Sequence, residues 1–149
     1  MVINGKQYKT TVRDMNKKII ENQLWPVARI INQDNSALPK SKGSSFRCSA
    51  FAFNKRVLIG IGSNKEKTHP RFFDYAEANK TTTHAEITLL LNLERNNMIQ
   101  KVTDIIVFRG VNKPLNSFPC KLCFAHLVDE FTNVRLWFYK DRGWRHMEL

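Results

Sequence analysis

Two short motifs in the sequence contain residue types that bind metal ions. His84 and Glu86 are separated by one residue, and Cys120 and Cys123 are separated by two. Each pair is predicted to open a helix, where unsatisfied backbone N–H groups and the helix dipole lower the pKa of a thiol. The thiolate is the form that binds zinc. The spacing lets both sulfurs reach one metal at ~2.3 Å, with an imidazole nitrogen of His84 as third ligand.

Three protein ligands are typical of a catalytic zinc site, because a structural site uses four. The fourth position can hold a water whose pKa falls towards ~7. Glu86, two residues after His84, would lie beside that water without coordinating the metal, where it could accept and return a proton. The motifs therefore predict a catalytic metal centre.

Each of these residues also has a structural interpretation. Thr83 and Glu86 have the spacing of a capping box, which requires no chemistry. The cysteine pair could be redox-active or half of a structural zinc site, and His126 is placed to be a rival ligand three residues after Cys123. Cys48 lies in a predicted strand and is expected to be a small buried apolar side chain rather than a fourth sulfur ligand.

The two motifs resemble the signature of the zinc-dependent cytidine deaminase superfamily, H-x-E followed by P-C-x-x-C. They stand here as His84-Ala85-Glu86 and Pro119-Cys120-Lys121-Leu122-Cys123. Three further segments are similar to deoxycytidylate deaminases and their phage or viral relatives: Phe118-Pro119-Cys120, Gly62-Ser63-Asn64 and the Lys-Thr-His-Pro motif at 67–70. The resemblance extends over residues 46–139.

The resemblance implies a fold, a reaction and partners. The fold would be α/β, with three α/β/α layers around a central mixed sheet of about five strands. The reaction would be hydrolytic deamination at C4 of cytosine, with one zinc ion per chain as cofactor and Glu86 as the group that transfers protons. Deoxycytidine monophosphate is the preferred substrate, adenine is an alternative base, and a homo-oligomer is expected.

The same resemblance suggests residues that contact the substrate. Ala85 would offer its backbone N–H to the base carbonyl, and Asn64 would bind the sugar or the base. Phe118 is a candidate for stacking on the base. The remaining stacking candidates are Phe72, Phe73, Tyr75, Trp137 and Tyr139. A basic loop could bind the phosphate of a nucleotide or the backbone of a nucleic-acid strand, or it could remain solvated. Its residues are Lys65, Lys67, His69 and Arg71.

Periodic apolar positions predict the elements that must position these residues. A helix over 11–33 is expected to be divided by Pro26. The elements that follow are a hairpin over 46–61, a helix over 83–97, a strand over 103–108, a helix over 119–131, a strand over 134–139 and a last edge strand. The first ten residues are compatible with an Asn-Gly hairpin or an arm. An aromatic stripe is expected to be core: Phe46, Phe51, Phe53, Trp137 and Phe138.

Length and charge limit the class of protein. The 149 residues, 42% of them hydrophobic, are consistent with a single deaminase domain, with residues 1–21 as an N-terminal extension and a core over about 22–139. The formal net charge of +11 is concentrated in residues 1–83, which carry 15 basic and 6 acidic side chains. Such a charge favours phosphorylated or polyanionic partners. It keeps open a deaminase of single-stranded DNA or RNA, and a non-catalytic zinc-containing module that binds nucleic acid.

The expected compartment is the cytoplasm, that of the host cell if the protein is viral or encoded by a phage. The chain contains no run of about 18 apolar residues and no apolar signal sequence, so no membrane partner is expected. Three cysteines are an odd number, and they favour metal or thiolate chemistry over a disulfide framework.

Overall fold

The computed structural model describes residues 2–3, 6–7, 15–39, 43, 46–66 and 83–149. A short antiparallel pair, β1 (Val2–Ile3) and β2 (Lys6–Gln7), agrees with the hairpin, one of the two alternatives for the first ten residues. The strands of the main sheet are β3 (Cys48–Asn54), β4 (Val57–Ser63), β5 (Asp104–Arg109), β6 (Arg135–Lys140) and β7 (Gly143–Glu148). The helices are α1 (Lys17–Ile19), α2 (Trp25–Gln33), α3 (Ala85–Arg95) and α4 (Lys121–Glu130).

The five main strands form one mixed sheet in the order β4-β3-β5-β6-β7. β5 and β6 are parallel, and every other neighbouring pair is antiparallel. The parallel pair is connected through α4, the crossover that parallel strands require. The end of the sheet at which β5 and β6 terminate is also the end at which α3 and α4 begin. We call this the site end and the opposite one the far end.

Helices cover both faces of the sheet, as the α/β prediction requires. α3 and α4 pack on the face formed by Ala50, Ala52 and Ile105. α1 and α2 pack on the opposite face, which contains Phe108 and three members of the predicted aromatic stripe, Phe51, Phe53 and Trp137. The result is a three-layer α/β/α architecture with one apolar core on each side of the sheet.

The aromatic stripe is core with one exception. Phe51, Phe53, Trp137 and Phe138 are buried, whereas Phe46 is 56% exposed. Phe46 lies two residues before β3 begins, so it is outside the sheet in which alternation would bury it. The expectation that Phe46 is a core residue is wrong.

α3 approaches the edge strand β4 closely because β4 presents glycine to it. A Cβ at Gly62 would lie 2.3 Å from the Leu89 backbone nitrogen and 2.5 Å from the Ala85 carbonyl oxygen. A Cβ at Gly60 would meet only side chains, the nearest being Leu93 Cδ2 at 2.9 Å. The glycines of the Gly60-Ile61-Gly62 segment therefore allow α3 to pack closely on β4, and this contact sets the distance between the first turn of α3 and the sheet.

The helix boundaries differ from the predicted ones in detail. Ile20–Leu24 forms a π-helical turn between α1 and α2, and Pro26 lies at the start of α2. The helical backbone continues from Lys17 to Gln33, so it changes from π to α next to this proline but is not divided there. β7 supplies the predicted last edge strand. Within the described ranges, no helix has both the length and the apolar character needed to cross a membrane.

Candidate metal centre

The first residues of α3 and α4 meet at the site end of the sheet. His84 is the N-cap residue of α3, and Cys120 is the N-cap residue of α4. The Cys120 sulfur accepts a hydrogen bond from the Cys123 backbone N–H at 3.5 Å, as a capping side chain does. Both helices begin two residues later than predicted, at Ala85 and Lys121, because His84 and Cys120 have extended backbone conformations.

The later start of α3 removes the structural interpretation of Glu86. Thr83 lies outside the helix and pairs instead with Lys65 in an isolated β-bridge, with N···O distances of 2.8 and 2.9 Å. The predicted capping box with Thr83 as N-cap is therefore wrong. The bridge also fixes the residue directly before His84, the first metal-binding residue, against Lys65.

The ligand atoms of the predicted set converge. His84 Nδ1 lies 3.5 Å from Cys120 Sγ and 3.4 Å from Cys123 Sγ. A tetrahedral zinc with Zn–S bonds of about 2.3 Å and a Zn–N bond of about 2.05 Å would separate nitrogen and sulfur by about 3.6 Å. Both observed nitrogen–sulfur distances are thus close to those of a zinc tetrahedron, the three ligand atoms all lie within 4.8 Å of one another, and the two-sulfur, one-nitrogen donor set suits zinc.

The ligand set contains only these three residues among those that the structure describes. His84, Cys120 and Cys123 are the described group whose candidate ligand atoms all lie within 4.8 Å of one another. His126 is not a member, so the rival ligand is not supported. Cys48 is not a member either, and it packs at the margin of the apolar core below α3, as expected for a small buried side chain.

Local interactions set the charge of the sulfur ligands. The hydrogen bond from the Cys123 side chain, with further help from His84, lowers the pKa of Cys120 to about 3, although burial opposes this shift. Burial, together with the nearby charge of Glu86, raises the pKa of Cys48 to about 12. Cys120 is therefore a thiolate ready for a metal at neutral pH, while Cys48 is a neutral thiol.

The surroundings of the His84 imidazole both raise and lower its pKa. Burial lowers its pKa, but the hydrogen bond with Cys120 and the negative charges of Glu86 and Cys120 outweigh burial, so the pKa lies above its usual value. A proton on this imidazole stabilises the metal-free site, because it neutralises adjacent negative charge. Zinc would replace that proton.

Glu86 is the buried carboxylate of the site. It lies in the first turn of α3 and is 5% exposed. Burial raises its pKa, against the opposing effects of a hydrogen bond to its own backbone, the His84 charge and a hydrogen bond with the Cys123 side chain. A carboxyl group with a raised pKa beside three metal ligands is suited to exchange protons near neutral pH.

Asn64 lies at the site end of β4, but its amide is engaged with the protein. Its Oδ1 accepts hydrogen bonds from the Cys48 backbone N–H at 3.0 Å and from Asn35 Nδ2 at 3.3 Å. Its Nδ2 donates to the Phe46 carbonyl oxygen. Asn64 thus connects the first strand of the sheet to the loop after α2, and its contact with a substrate stays a prediction.

The described stacking candidates fall on different sides of the sheet. Phe118 lies two residues before Cys120 and is 40% exposed. Trp137 is buried and Tyr139 packs beside it, both on the face covered by α1 and α2. Trp137 and Tyr139 are therefore wrong as stacking candidates, because the sheet separates them from the metal ligands.

Several predicted contacts fall outside the described residues. These are the basic-loop residues Lys67, His69 and Arg71 and the aromatic residues Phe72, Phe73 and Tyr75. Ala85 is described, and it is fully buried at the first position of α3. The electrostatic influence of Glu86 on Cys48 was not anticipated from the sequence, although the two-residue alternation of β3 puts Cys48 on the same face as Ala50, below α3.

Comparisons with known proteins agree with this architecture. No family model and no curated protein matches the sequence. Three solved cytidine deaminases, each 17% identical to this chain, are similar in structure. The Burkholderia pseudomallei protein has a TM-score of 0.55 over 84% of this chain and 89% of its own. The values are 0.53, 82% and 92% for the Mycobacterium leprae protein, and 0.51, 81% and 88% for the Mycobacterium tuberculosis protein. The chain therefore has the α/β fold of the cytidine deaminases, as its two motifs predicted.

Proposed function

We propose that this protein is a zinc-dependent hydrolase that deaminates cytosine carried by a nucleoside or nucleotide. The observation that carries the proposal is the convergence of His84, Cys120 and Cys123 at tetrahedral spacing, with the buried carboxylate of Glu86 in the adjacent helical turn. A structural zinc site has no use for a buried carboxylate beside three ligands. The fold similarity to cytidine deaminases supports the same conclusion.

The residues of the chain have separate tasks in this reaction. When bound, zinc would supply Lewis acidity that lowers the pKa of water and makes it a nucleophile at neutral pH. Glu86 would take one proton from the attacking water and deliver it to N3 of the base. It would then take the second proton, from the hydroxyl added at C4, and deliver it to the departing amine. Burial favours the protonated form of Glu86, so the carboxyl group can return the proton it has accepted. Water adds at C4 and ammonia leaves, so the products are uracil and ammonia.

The base would be held at the start of α3. Ala85 lies in the first turn, where backbone N–H groups have no acceptor within the helix, so its N–H is suited to bind the base carbonyl. Deoxycytidine monophosphate is the substrate that we expect first, from the similarity of 67–70 and of Phe118-Pro119-Cys120 to deoxycytidylate deaminases. The phosphate would then be bound by the basic-loop residues Lys67, His69 and Arg71, as the sequence suggests.

The test separates the carboxylate from the metal. The Glu86→Gln protein is expected to bind one zinc per chain like the parent but to lose at least a thousandfold in kcat on deoxycytidine monophosphate, because proton transfer is removed. The matched control is Glu130→Gln at the exposed end of α4, which should retain both zinc and turnover. Turnover that survives Glu86→Gln in a zinc-loaded protein would refute the proposed role of Glu86.

A further inference from the structure

A groove next to the metal centre has no task in the reaction at C4. It encloses about 270 Å³ between the loop before α4 and the β6–β7 hairpin. Its lining residues are Phe118, Phe138, Lys140, Asp141 and Arg145. We call it the hairpin groove. Because Phe118 is two residues before a metal ligand, the groove adjoins the space in which the target base must lie.

One wall of the hairpin groove is an aromatic ring held in place from behind. Phe118 packs edge-on against Phe138, with ring centroids 4.8 Å apart, and against Phe124 at 5.5 Å. The preceding residue, Ser117, is fixed to β6, since its Oγ accepts the Tyr139 N–H at 2.8 Å and its own N–H donates to the Tyr139 carbonyl at 3.0 Å. Phe118 nevertheless remains 40% exposed. A fixed, exposed ring of this kind offers a stacking surface for a nucleobase.

The other wall carries two cations. Arg145 donates from Nε to the Lys140 carbonyl oxygen at 3.1 Å, which orients the guanidinium beside the Lys140 side chain. Within the part of the chain that the structure describes, neither Lys140 nor Arg145 forms an ion pair. Asp141 is the carboxylate of the lining, so the groove keeps a positive balance, to which the exposed Arg142 in the turn adds.

The charged residues of segment 84–149 are also distributed so that positive charge is concentrated at the site end. In residues 84–149, strand and helix directions place six basic and two acidic residues at the site end, and three basic and five acidic ones at the far end. The basic residues at the site end are Arg109, Lys113, Lys121, Lys140, Arg142 and Arg145. This half of the chain has a net charge of only +2, but it directs its positive charge towards the metal centre. A polyanion approaching the site end would be attracted to it.

We propose that the hairpin groove binds the nucleotide adjacent to the target cytosine in a single-stranded nucleic acid. The base of that nucleotide stacks on Phe118, and its phosphate is bound by Lys140 and Arg145. This inference rests on the proposed function, because it takes the metal centre as the place of the target cytosine. A free cytosine nucleotide would place its base at the metal centre, but it has no second base that could stack on Phe118. The combination of a stacking ring and two cations therefore suits a strand as a further substrate, in addition to the free nucleotide.

Binding measurements test the groove without turnover. We would use zinc-loaded Glu86→Gln protein and a fluorescein-labelled oligodeoxythymidylate with one central cytosine, followed by anisotropy over a range of salt concentrations. Adding Lys140→Ala and Arg145→Ala should weaken binding at least tenfold. It should also reduce the slope of log affinity against log salt by about 1.4, the value for two phosphate contacts on a single strand. Adding Phe118→Ala should weaken binding about fivefold or more and leave that slope unchanged, because stacking releases no counterions.

The matched control removes two positive charges from the far end, with Arg95→Ala and Lys101→Ala. It should change affinity less than threefold. Equal loss of affinity in the groove and control variants would overturn the inference, because only overall charge would then matter. An unchanged affinity of the Phe118→Ala protein would overturn it as well.

Activity measurements distinguish this inference from the proposed function. In zinc-loaded protein with Glu86 intact, we expect the groove variants to lower kcat/KM for the oligonucleotide relative to cytidine by at least tenfold. Turnover of cytidine or deoxycytidine monophosphate with no groove-dependent preference for the strand would refute the inference alone. Absence of turnover on every cytosine substrate would refute the proposed function, and the binding data would still decide whether the groove takes a strand.

Discussion

The close contact between α3 and β4 predicts that Gly62→Ala, which adds a single methyl group, destabilises the protein strongly. The added Cβ would meet the Leu89 nitrogen at 2.3 Å and the Ala85 oxygen at 2.5 Å, whereas ordinary contacts begin at 3.4 Å. Both contacts are backbone atoms of α3, so the helix must move outward by about 1 Å. We expect a loss of about 3 kcal/mol in the free energy of unfolding, the upper end of the range for overpacked cores.

The same displacement would disturb the metal centre, because α3 begins with the ligand His84 and carries Glu86 in its first turn. We therefore expect Gly62→Ala also to weaken zinc binding by at least tenfold, since ligand positions in a tetrahedral site tolerate only small shifts. Urea denaturation of the zinc-free protein would measure the stability loss. Competition with a chromophoric chelator would measure the change in zinc affinity.

Gly60→Ala is the matched comparison on the same strand and towards the same helix. Its Cβ would meet only the ends of flexible leucine side chains, Leu93 Cδ2 at 2.9 Å and Leu89 Cδ1 at 3.1 Å. Rotation of these side chains limits the cost to about 1 kcal/mol, and zinc affinity should stay within twofold of the parent. If Gly62→Ala were as stable as Gly60→Ala and bound zinc equally well, the close approach of α3 to β4 would not position the metal ligands.

Three further results follow from the charges and contacts of the structure. In zinc-free protein at pH 6, iodoacetamide should label Cys120, whose pKa is about 3, but not Cys48, whose pKa is about 12. Mass spectrometry of peptides would measure the labelling, and bound zinc should protect Cys120. Zinc affinity should fall by about tenfold or more for each unit of pH below the raised pKa of His84, because a proton there competes with the metal; a pH-independent affinity would contradict this. Asp104→Ala should lower the free energy of unfolding by about 1–3 kcal/mol in denaturant titrations, because the buried Trp137 Nε1, which donates to this carboxylate at 3.0 Å, would lose its acceptor. Because Asp104 lies at the far end of the sheet, this variant should leave zinc affinity unchanged.

The sequence predicted the chemistry of the site because short local patterns encode it. The His84 and Cys120 motifs each lie at the start of a helix, and each of these helices is followed by a strand of the main sheet. Because β5 runs back to the end of the sheet at which α3 began, α4 begins at that end as well. Alternation of apolar residues therefore sufficed to bring both helix starts to one end of the sheet. The mixed sheet of about five strands was implied by the resemblance to cytidine deaminases, and the order of predicted helices and strands agreed with it.

Other features depend on register and could not be predicted locally. The capping box at Thr83 failed because a non-local β-bridge with Lys65 holds that residue in extended backbone. Trp137 has the residue type of a stacking partner, yet strand register turns it to the face opposite the metal centre. The hairpin groove joins Phe118 to Lys140 and Arg145, which become neighbours only when β7 folds back on β6.

The central claim is that zinc held by His84, Cys120 and Cys123 supports deamination of cytosine. The most direct measurement strips the protein with a chelator and titrates it with Zn²⁺ while uracil formation from deoxycytidine monophosphate and from cytidine is followed by mass spectrometry. We predict that activity rises in proportion to bound zinc and reaches its maximum at one zinc per chain. Full activity in the stripped protein, or a fully loaded protein that converts no cytosine substrate, would contradict the account.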